Sequence, residues 1–520
     1  MLRRCLVCLA FATCCFLNSW VELAEEDGVY FARYDPLFAV VVPDLAWIII
    51  LTLGMLGAWE FHRRRPPQRA WSNHGLFLAC SCVPLGIAAV ASLRLSPYNV
   101  VPIVRNPMFW PAALLAASVP VCFAILRPHA ASRFMQGLFL YSWPVLVIVL
   151  VQAARVTFLK YPHSSYTDGA LAATIGSPPA RVRVMWIIFD ELSESKAFGN
   201  RPTSLQLPNL DRLKAESFSA TAALSPSDRT ETSIPALTLG ELVIDSDPQG
   251  PDNLMVKTPS RRTLFAWSSA PNVFDTARRL GFNTALVGWY HPYGRLLNQS
   301  LTKCYWTAGW LASGIEERFQ PQSLPGAMWS RANLQFVALP LVGHLPGVSP
   351  GIYHREEKLR RFSYLLDRAR EIVADPSIGL ALIHLQVPHP PAIYDRREGA
   401  LAAKRGGDYL DNLALADRTL GDLRHTMEQA GLWDQTALLV SADHGWRTNL
   451  WRGGPEWTAE EEAASHGNTS NVPFLLKLPG QTSGVKYTKP FNTVVTRKII
   501  TDILDRQLTD PARIADAIAP

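Results

Sequence analysis

Charged residues are scarce in this chain of 520 residues: only 18% are Asp, Glu, Lys or Arg, against roughly 25% in soluble domains. With 48% hydrophobic residues, a chain soluble along its whole length is excluded, and part of it is expected to lie in lipid. Cysteine is nearly missing from the larger, C-terminal part. Cys5, Cys8, Cys14, Cys15, Cys80, Cys82 and Cys122 fall in or beside apolar N-terminal segments and leave Cys304 alone in the remainder, so no internal disulfide can staple that remainder. No internal repeat or long low-complexity tract is present, which argues against a solenoid. The net charge of +6 does not point to nucleic acid, because many Lys and Arg lie in short loops beside apolar segments, where they act as topology signals.

The length exceeds one ordinary hydrophobic core, and two parts of different character are expected. Five apolar stretches precede residue 160, at about Leu2–Trp20, Phe38–Trp59, Leu76–Leu95, Met108–Leu126 and Met135–Phe158, each close to the roughly 20 residues that cross a bilayer as a helix. The first also reads as a cleavable signal peptide, since Arg3 and Arg4 precede it, although no clear small-residue cleavage site follows. Short cytoplasmic loops retain Lys and Arg. Arg3 and Arg4, the loop Arg63–Arg69 and the loop Arg127–Arg133 are therefore placed inside, and the acidic loop Glu22–Tyr34 outside. Five spans starting inside deliver everything after Phe158 to the outer side of the inner (plasma) membrane. The expected organisation is a transmembrane domain over 1–159, a Ser-, Thr-, Gly- and Pro-rich tether over 160–180, and a domain over 181–520.

Beyond the tether the pattern changes. Val182–Phe189, Thr284–Gly288, Leu380–Leu385 and Thr436–Ser441 are short apolar runs that read as buried strands, and Glu356–Val373 and Tyr409–Ala430 read as helices between them. The fold class is α/β with a mostly parallel sheet flanked by helices. In such sheets functional groups gather beyond the carboxyl ends of the strands. Asp190 and Glu191 follow the first run, His389 the third, and Asp443-His444-Gly445 the fourth. Taken singly, an acid ending a strand is an ordinary helix cap.

In combination, and in order, these segments resemble the alkaline phosphatase and sulfatase superfamily. Asp190-Glu191-Leu192 looks like the paired acids after that fold's first strand. Leu207-Pro208-Asn209-Leu210-Asp211-Arg212-Leu213 looks like its PNLDRL segment. Asp275–Gly288 looks like the helix and strand that in sulfatases end on Gly-Lys-Trp-His. Asp417–Gly421 and Gly431–Thr436 precede Ser441-Ala442-Asp443-His444-Gly445 as in the family, and His466-Gly467 with Val472-Pro473-Phe474 and Leu478-Pro479-Gly480 looks like the closing segment.

The position of the nucleophile separates reaction classes. Sulfatases carry Cys or Ser at the head of an eleven-residue segment ending in Thr-Gly, and oxidise it to an aldehyde; here the segment runs Thr230–Gly240 and Thr heads it. Threonine cannot become formylglycine, Ile234 stands where Arg is expected, and Trp289 replaces the Lys of Gly-Lys-Trp-His. A sulfatase activity is therefore not expected. Thr230 resembles instead the nucleophile of lipoteichoic acid synthases, lipid A phosphoethanolamine transferases and nucleotide phosphodiesterases, and the first two families also place five helices before an external catalytic domain. The phosphoethanolamine transferases usually carry several disulfides there, which this chain cannot form.

The resemblance implies a divalent metal, zinc or manganese with calcium as the further option, held by Asp190, Glu191, Asp443 and His444 with Thr230 as a further ligand. His291, His389 and His466 would hold substrate. It implies a ping-pong transfer through phosphothreonine of a phosphoethanolamine- or phosphoglycerol-type head group, from a membrane lipid to an envelope glycan or lipid. A membrane-anchored phosphodiesterase that uses water as acceptor is the rival enzyme, and an inactive envelope-binding relative the rival of another class. Thr230 is expected at the amino end of a helix that Pro235–Leu239 begins, with Thr232 and Ser233 as rival caps in the same stretch. The segment from Tyr305 to Gly347, with Trp306, Trp310, Trp329, Phe336 and Leu341, is unusually apolar. It reads either as local core filling or as aromatics resting at a bilayer interface.

Overall fold

The computed structural model describes residues 1–24, 29–32, 35–63, 70–94, 120–176, 182–308, 323–337, 350–402, 407–452 and 457–518. The chain divides into two compact units: Met1–Ser164 with Ala312–Pro350, and Ser165–Leu311 with Gly351–Pro520.

In the second unit the sheet is built from strands β1 (Arg183–Phe189), β2 (Phe218–Leu224), β3 (Asn283–Tyr290), β4 (Lys303–Ala308), β5 (Ile378–Leu385), β6 (Thr436–Ser441), β7 (Asn471–Lys477), β8 (Val485–Tyr487) and β9 (Phe491–Asn492). Their order is β8-β2-β7-β6-β1-β5-β3-β4, with β9 also on β2. The block β6-β1-β5-β3-β4 is parallel, whereas β7 runs antiparallel to β6 and β2. All residues of β1, β5 and β6 are buried. This is why they appear in the sequence as continuous apolar runs: a parallel strand is covered on both faces and has no solvent side to alternate with.

Flanking helices supply that cover. Tyr409–Gln429 opens on a capping box between Asp408 and Asp411 and buries Leu410, Leu413, Leu420, Leu423 and Met427, the 3.6-residue spacing of an amphipathic helix. Thr496–Leu504 buries Ile499, Ile500, Ile503 and Leu504. Each such Leu or Ile stabilises the fold by about 1.5–3 kcal/mol relative to exposure. The Pro208-Asn209-Leu210 motif has a scaffold role: Asp417 accepts from Leu210 N (2.7 Å) and Asn209 Nδ2 (2.9 Å), which satisfies amide groups at the start of helix Pro208–Ala215.

Two expectations about organisation change. From Ser165 the segment read as tether belongs to the second unit: Gly169 N donates to Gly294 O (2.9 Å), Ala172 N to Leu301 O (2.9 Å) and Ile175 N to the Asn283 side chain (2.8 Å). Conversely, Ala312–Pro350 groups with the N-terminal helices. Trp306 does not rest at an interface. It is buried in β4, its indole N–H donates to Asp168 (3.0 Å), and Arg295 lies 5.1 Å over its ring. Trp310 and Leu341 lie outside the described residues.

In the first unit, two helices among the described residues are long and apolar enough to cross a membrane, Leu37–Phe61 and Pro128–Lys160, where five spans were expected. The Leu2–Trp20 stretch divides into shorter helices, Leu2–Cys14 and Leu17–Ala24. Leu76–Leu95 falls in helix Ala70–Arg94, which contains Pro84 and carries a shorter apolar run, His74–Ala89. Most of Met108–Leu126 and of the loop Arg63–Arg69 lies outside the described residues, as do residues 25–28 and 33–34 of the loop Glu22–Tyr34. The two long helices expose Leu45, Ile49, Ile50, Leu53, Val145, Val147, Ile148 and Val151, as surfaces facing acyl chains would.

Candidate active site

Four neighbouring strands, β6, β1, β5 and β3, end at the same edge of the sheet and deliver Asp443 and His444, Asp190, His384 and His389, and His291 respectively. At two of these ends the chain leaves the sheet through a strained backbone: Glu191 has φ +64° and Tyr290 φ +84°, values that non-glycine residues adopt at a cost and that gather at functional sites. The turn at Glu191 aims its N–H at Asp443 Oδ1 (3.4 Å). Gly445 is required for a different reason: a Cβ there would stand 2.2 Å from Thr469 O.

Thr230 begins helix Thr230–Leu239. The helix thus starts before Pro235, which sits inside it. Thr230 Oγ1 is buried, donates to Asp443 Oδ2 at 2.6 Å and lies 3.2 Å from His444 Nε2. Thr232 and Ser233 face away from these groups, their hydroxyls donating to Ser227 Oγ (2.7 Å) and Ser227 O (3.2 Å).

Asp190, Asp443 and His444 offer ligand atoms within 4.8 Å of one another, all three buried. Both Asp190 carboxylate oxygens are buried without a hydrogen-bond donor, a costly state for a carboxylate unless a cation faces it. Burial, then the nearby charge of Asp443, pushes Asp190 well above the usual carboxylate range. For Asp443 burial acts in the same direction, but His444, His384, the Thr230 hydroxyl and Arg447 outweigh it and hold it below that range. His444 Nδ1 lies 3.1 Å from Gly445 O, an acceptor only. Nδ1 is therefore the donor there, and Nε2 faces Thr230 and Asp190, 3.5 Å from Asp190 Oδ1, where it can serve as a metal ligand. The donor set fits a divalent cation.

Glu191 stands apart from this cluster. Its carboxylate is held by Arg447 Nε (2.5 Å) and Trp451 Nε1 (2.9 Å), so the two acids of the pair are turned to different partners. His291 is buried, with Nε2 3.4 Å from Thr230 O. His389 is buried between the rings of Trp289 (5.4 Å) and Trp451 (5.1 Å), and its carbonyl accepts from Lys358 Nζ. His466 is exposed, and its carbonyl accepts from Lys196 Nζ (3.0 Å); its ring is not one of the groups gathered here.

The sequence reading passed over His384. It is fully buried inside β5, Nε2 lies 3.9 Å from Asp443 Oδ2 without a hydrogen-bond partner, and Nδ1 meets Tyr293 Oη at 3.2 Å. Its signal was present: it is the one polar side chain in Ile378–Leu385, next to the strand's last residue.

Burial, the first cause in each case, lowers His291 to about 3 and His384 to about 4. Both are neutral in the native state near neutral pH, whereas an unfolded chain protonates them near 6.5. Their contribution to stability is full above about 6.5 and is lost as pH falls from there toward the folded values, because the unfolded state then binds more protons. Thermal midpoints of the metal-saturated protein, followed across that window, are expected to fall with acidification, and His291→Gln is expected to flatten the slope. An unchanged slope in the variant would assign the acid limb to other groups.

The Sulfatase family model matches residues 183–505. No curated protein sequence matches the chain. Similar solved structures include the phosphonate monoester hydrolase of Agrobacterium radiobacter, at 16% identity over 62% of this chain and 74% of that one with a TM-score of 0.40. Others are the sulfatase PsFucS1 from Pseudoalteromonas sp., at 16% over 63% and 69% with a TM-score of 0.42, and an alkaline phosphatase superfamily protein from Vibrio parahaemolyticus, at 12% over 64% and 68% with a TM-score of 0.36. With the family model spanning more than half of the chain, from β1 to the helix Thr496–Leu504, this protein belongs to the sulfatase family and is an enzyme of the alkaline phosphatase superfamily.

Proposed function

We propose that the protein is a metal-dependent transferase that moves a phosphate-linked head group from a membrane phospholipid to an envelope glycan or lipid, through a phosphothreonine on Thr230. The observation that carries this reading is the Thr230 hydroxyl at the head of its helix, 2.6 Å from Asp443 Oδ2 and 3.2 Å from His444 Nε2, at a position where sulfatase chemistry needs a residue that can become an aldehyde.

Asp190, Asp443 and His444 would hold the cation, zinc or manganese by the character of their donors, and when bound it supplies stabilisation of negative oxygen. In the first half-reaction Thr230 Oγ forms a bond to phosphorus and the bond from phosphorus to the diacylglycerol oxygen breaks. The hydroxyl proton is handed to Asp443, its hydrogen-bond acceptor, and is passed on to the departing diacylglycerol oxygen. In the second half-reaction an acceptor hydroxyl attacks the same phosphorus, Thr230 is released and regains a proton. The amino end of helix Thr230–Leu239 favours negative charge on the phosphoryl oxygens. His291, His384 and His389, neutral near pH 7, offer hydrogen bonds rather than fixed charge to substrate oxygens. In this reading the N-terminal unit is a multi-pass inner-membrane anchor, the basic loops keep its inner side cytoplasmic, and the catalytic unit lies outside.

Mass spectrometry of the purified protein after incubation with mixed phospholipids tests the proposal. The peptide carrying Thr230 is expected to gain the mass of a phosphorylated head group, and an added glycan or lipid acceptor is expected to discharge it with the head group appearing on that acceptor. Discharge to water alone would make the enzyme a phosphodiesterase, and an adduct on Ser233 or Thr232 would overturn the assignment of the nucleophile.

A further inference from the structure

The helix Leu324–Val337 interrupts the catalytic part of the sequence, yet it groups with the N-terminal helices. Over residues 319–347 the sequence contains one charged side chain, Arg331. That charge is not offered to water. Arg331 is 1% exposed and Asp44, near the start of the apolar helix Val42–Arg63, is 0% exposed, with Arg331 Nε 3.2 Å from Asp44 Oδ1. Arg331 also donates to Ser19 Oγ, as does Gln335 Nε2 at 2.7 Å. One turn along, Trp47 Nε1 donates to Met328 O at 2.6 Å. Among its described side chains the large exposed ones are apolar: Trp329 at 74% and Leu324 at 46%. They join Leu45, Ile49, Ile50 and Leu53, exposed on the helix to which this one is bonded.

We propose that helix Leu324–Val337 is seated in the bilayer, as a part of the catalytic sequence that returns to the membrane unit, with Arg331 and Asp44 neutralising each other inside the unit and Trp329 and Leu324 lying against acyl chains. Lipid is the occupant that fits. The exposed side chains continue the surface of a helix long and apolar enough to span, no charge is presented, and an indole is favoured at the boundary between acyl chain and head group. The Arg331–Asp44 pair makes the seating possible, because an unpaired charge in such surroundings would be expelled. This inference holds whichever group Thr230 transfers.

The full-length protein, reconstituted in vesicles of phosphatidylcholine and phosphatidylglycerol, provides the test. The emission of wild type minus that of Trp329→Phe isolates Trp329 from the other tryptophans. Most of this difference emission is expected to be lost when the acyl chains carry bromine, and aqueous acrylamide is expected to leave it largely intact. The reverse pattern would overturn the proposal and mark Trp329 as part of a water-facing surface for a soluble partner. Repeating the subtraction with Arg331→Leu or Asp44→Leu should show acrylamide reaching Trp329, and the double Leu substitution should restore protection. A double variant as accessible as either single would show that the ion pair does not hold the helix.

Discussion

Thr230→Ala is expected to lose turnover by about a million-fold, the scale found when a covalent nucleophile is removed, while the protein stays folded. The stability cost is limited to the hydrogen bond from Thr230 Oγ1 to Asp443, about 1.5–3 kcal/mol for a bond to a charged acceptor. Thr230→Ser keeps a hydroxyl in the same place and is expected to retain part of the activity. Thr232→Ala and Ser233→Ala are expected to leave the chemistry in place, since these hydroxyls face Ser227 and not the acidic cluster. Steady-state rates on a phosphodiester substrate, read beside the thermal midpoint of each variant, check the set. An active Thr230→Ala enzyme would place the nucleophile elsewhere.

Asp443→Asn is expected to abolish activity and, in addition, to remove the response of stability to metal. In the wild type a chelator should lower the thermal midpoint, because a cation that binds only the native state stabilises it by about 2.7 kcal/mol at 100 times its Kd. In the cation-free wild type burial, and after it the charge of Asp443, raises Asp190 well above the usual carboxylate range. For a carboxyl raised in the folded state, the stabilising contribution is present at low pH and is lost as pH rises toward the folded value. The contribution of Asp190 to the chelated wild type should therefore fall as pH rises above about 4, the unfolded carboxyl value, against the opposite trend of the buried histidines. Asp443→Asn removes a ligand of the cation, so its midpoint should no longer respond to metal and should be clearly below that of the wild type in metal. Calorimetry of both proteins with and without zinc or manganese decides this, and full activity of the variant in chelator would remove the metal from the reaction.

The central strands were legible in the sequence because burial on both faces leaves no polar residue to break the run. Asp190, Asp443 and His444 were legible because they stand where those runs stop. Other features were hidden for physical reasons. His384 reads as one more core residue until the neighbouring strands are placed and its Nε2 is seen to face Asp443. The orientation of Glu191 depends on a backbone angle of +64°, which no local pattern in Phe189–Leu192 announces. The closing segment of the motif series led to His466, whose ring stays exposed. The membership of Leu324–Val337 was out of reach of any local reading, because its partner Asp44 lies 287 residues away.

The division of the chain into two units bears on how the enzyme can be dissected. Three peptide junctions join them, after Ser164, Leu311 and Pro350, so a single cut does not separate one unit from the other. A fragment that simply begins at Ser165 would carry Ala312–Pro350 without the helices it belongs to, leaving Arg331 with no counter-charge and baring the side of the helix that Asp44, Ser19 and Trp47 cover. Such a fragment invites aggregation. A water-soluble version calls for a second excision, with Leu311 rejoined to Gly351 through a short polar bridge, so that what remains is the unit in which Thr230, Asp190, Asp443 and His444 already meet.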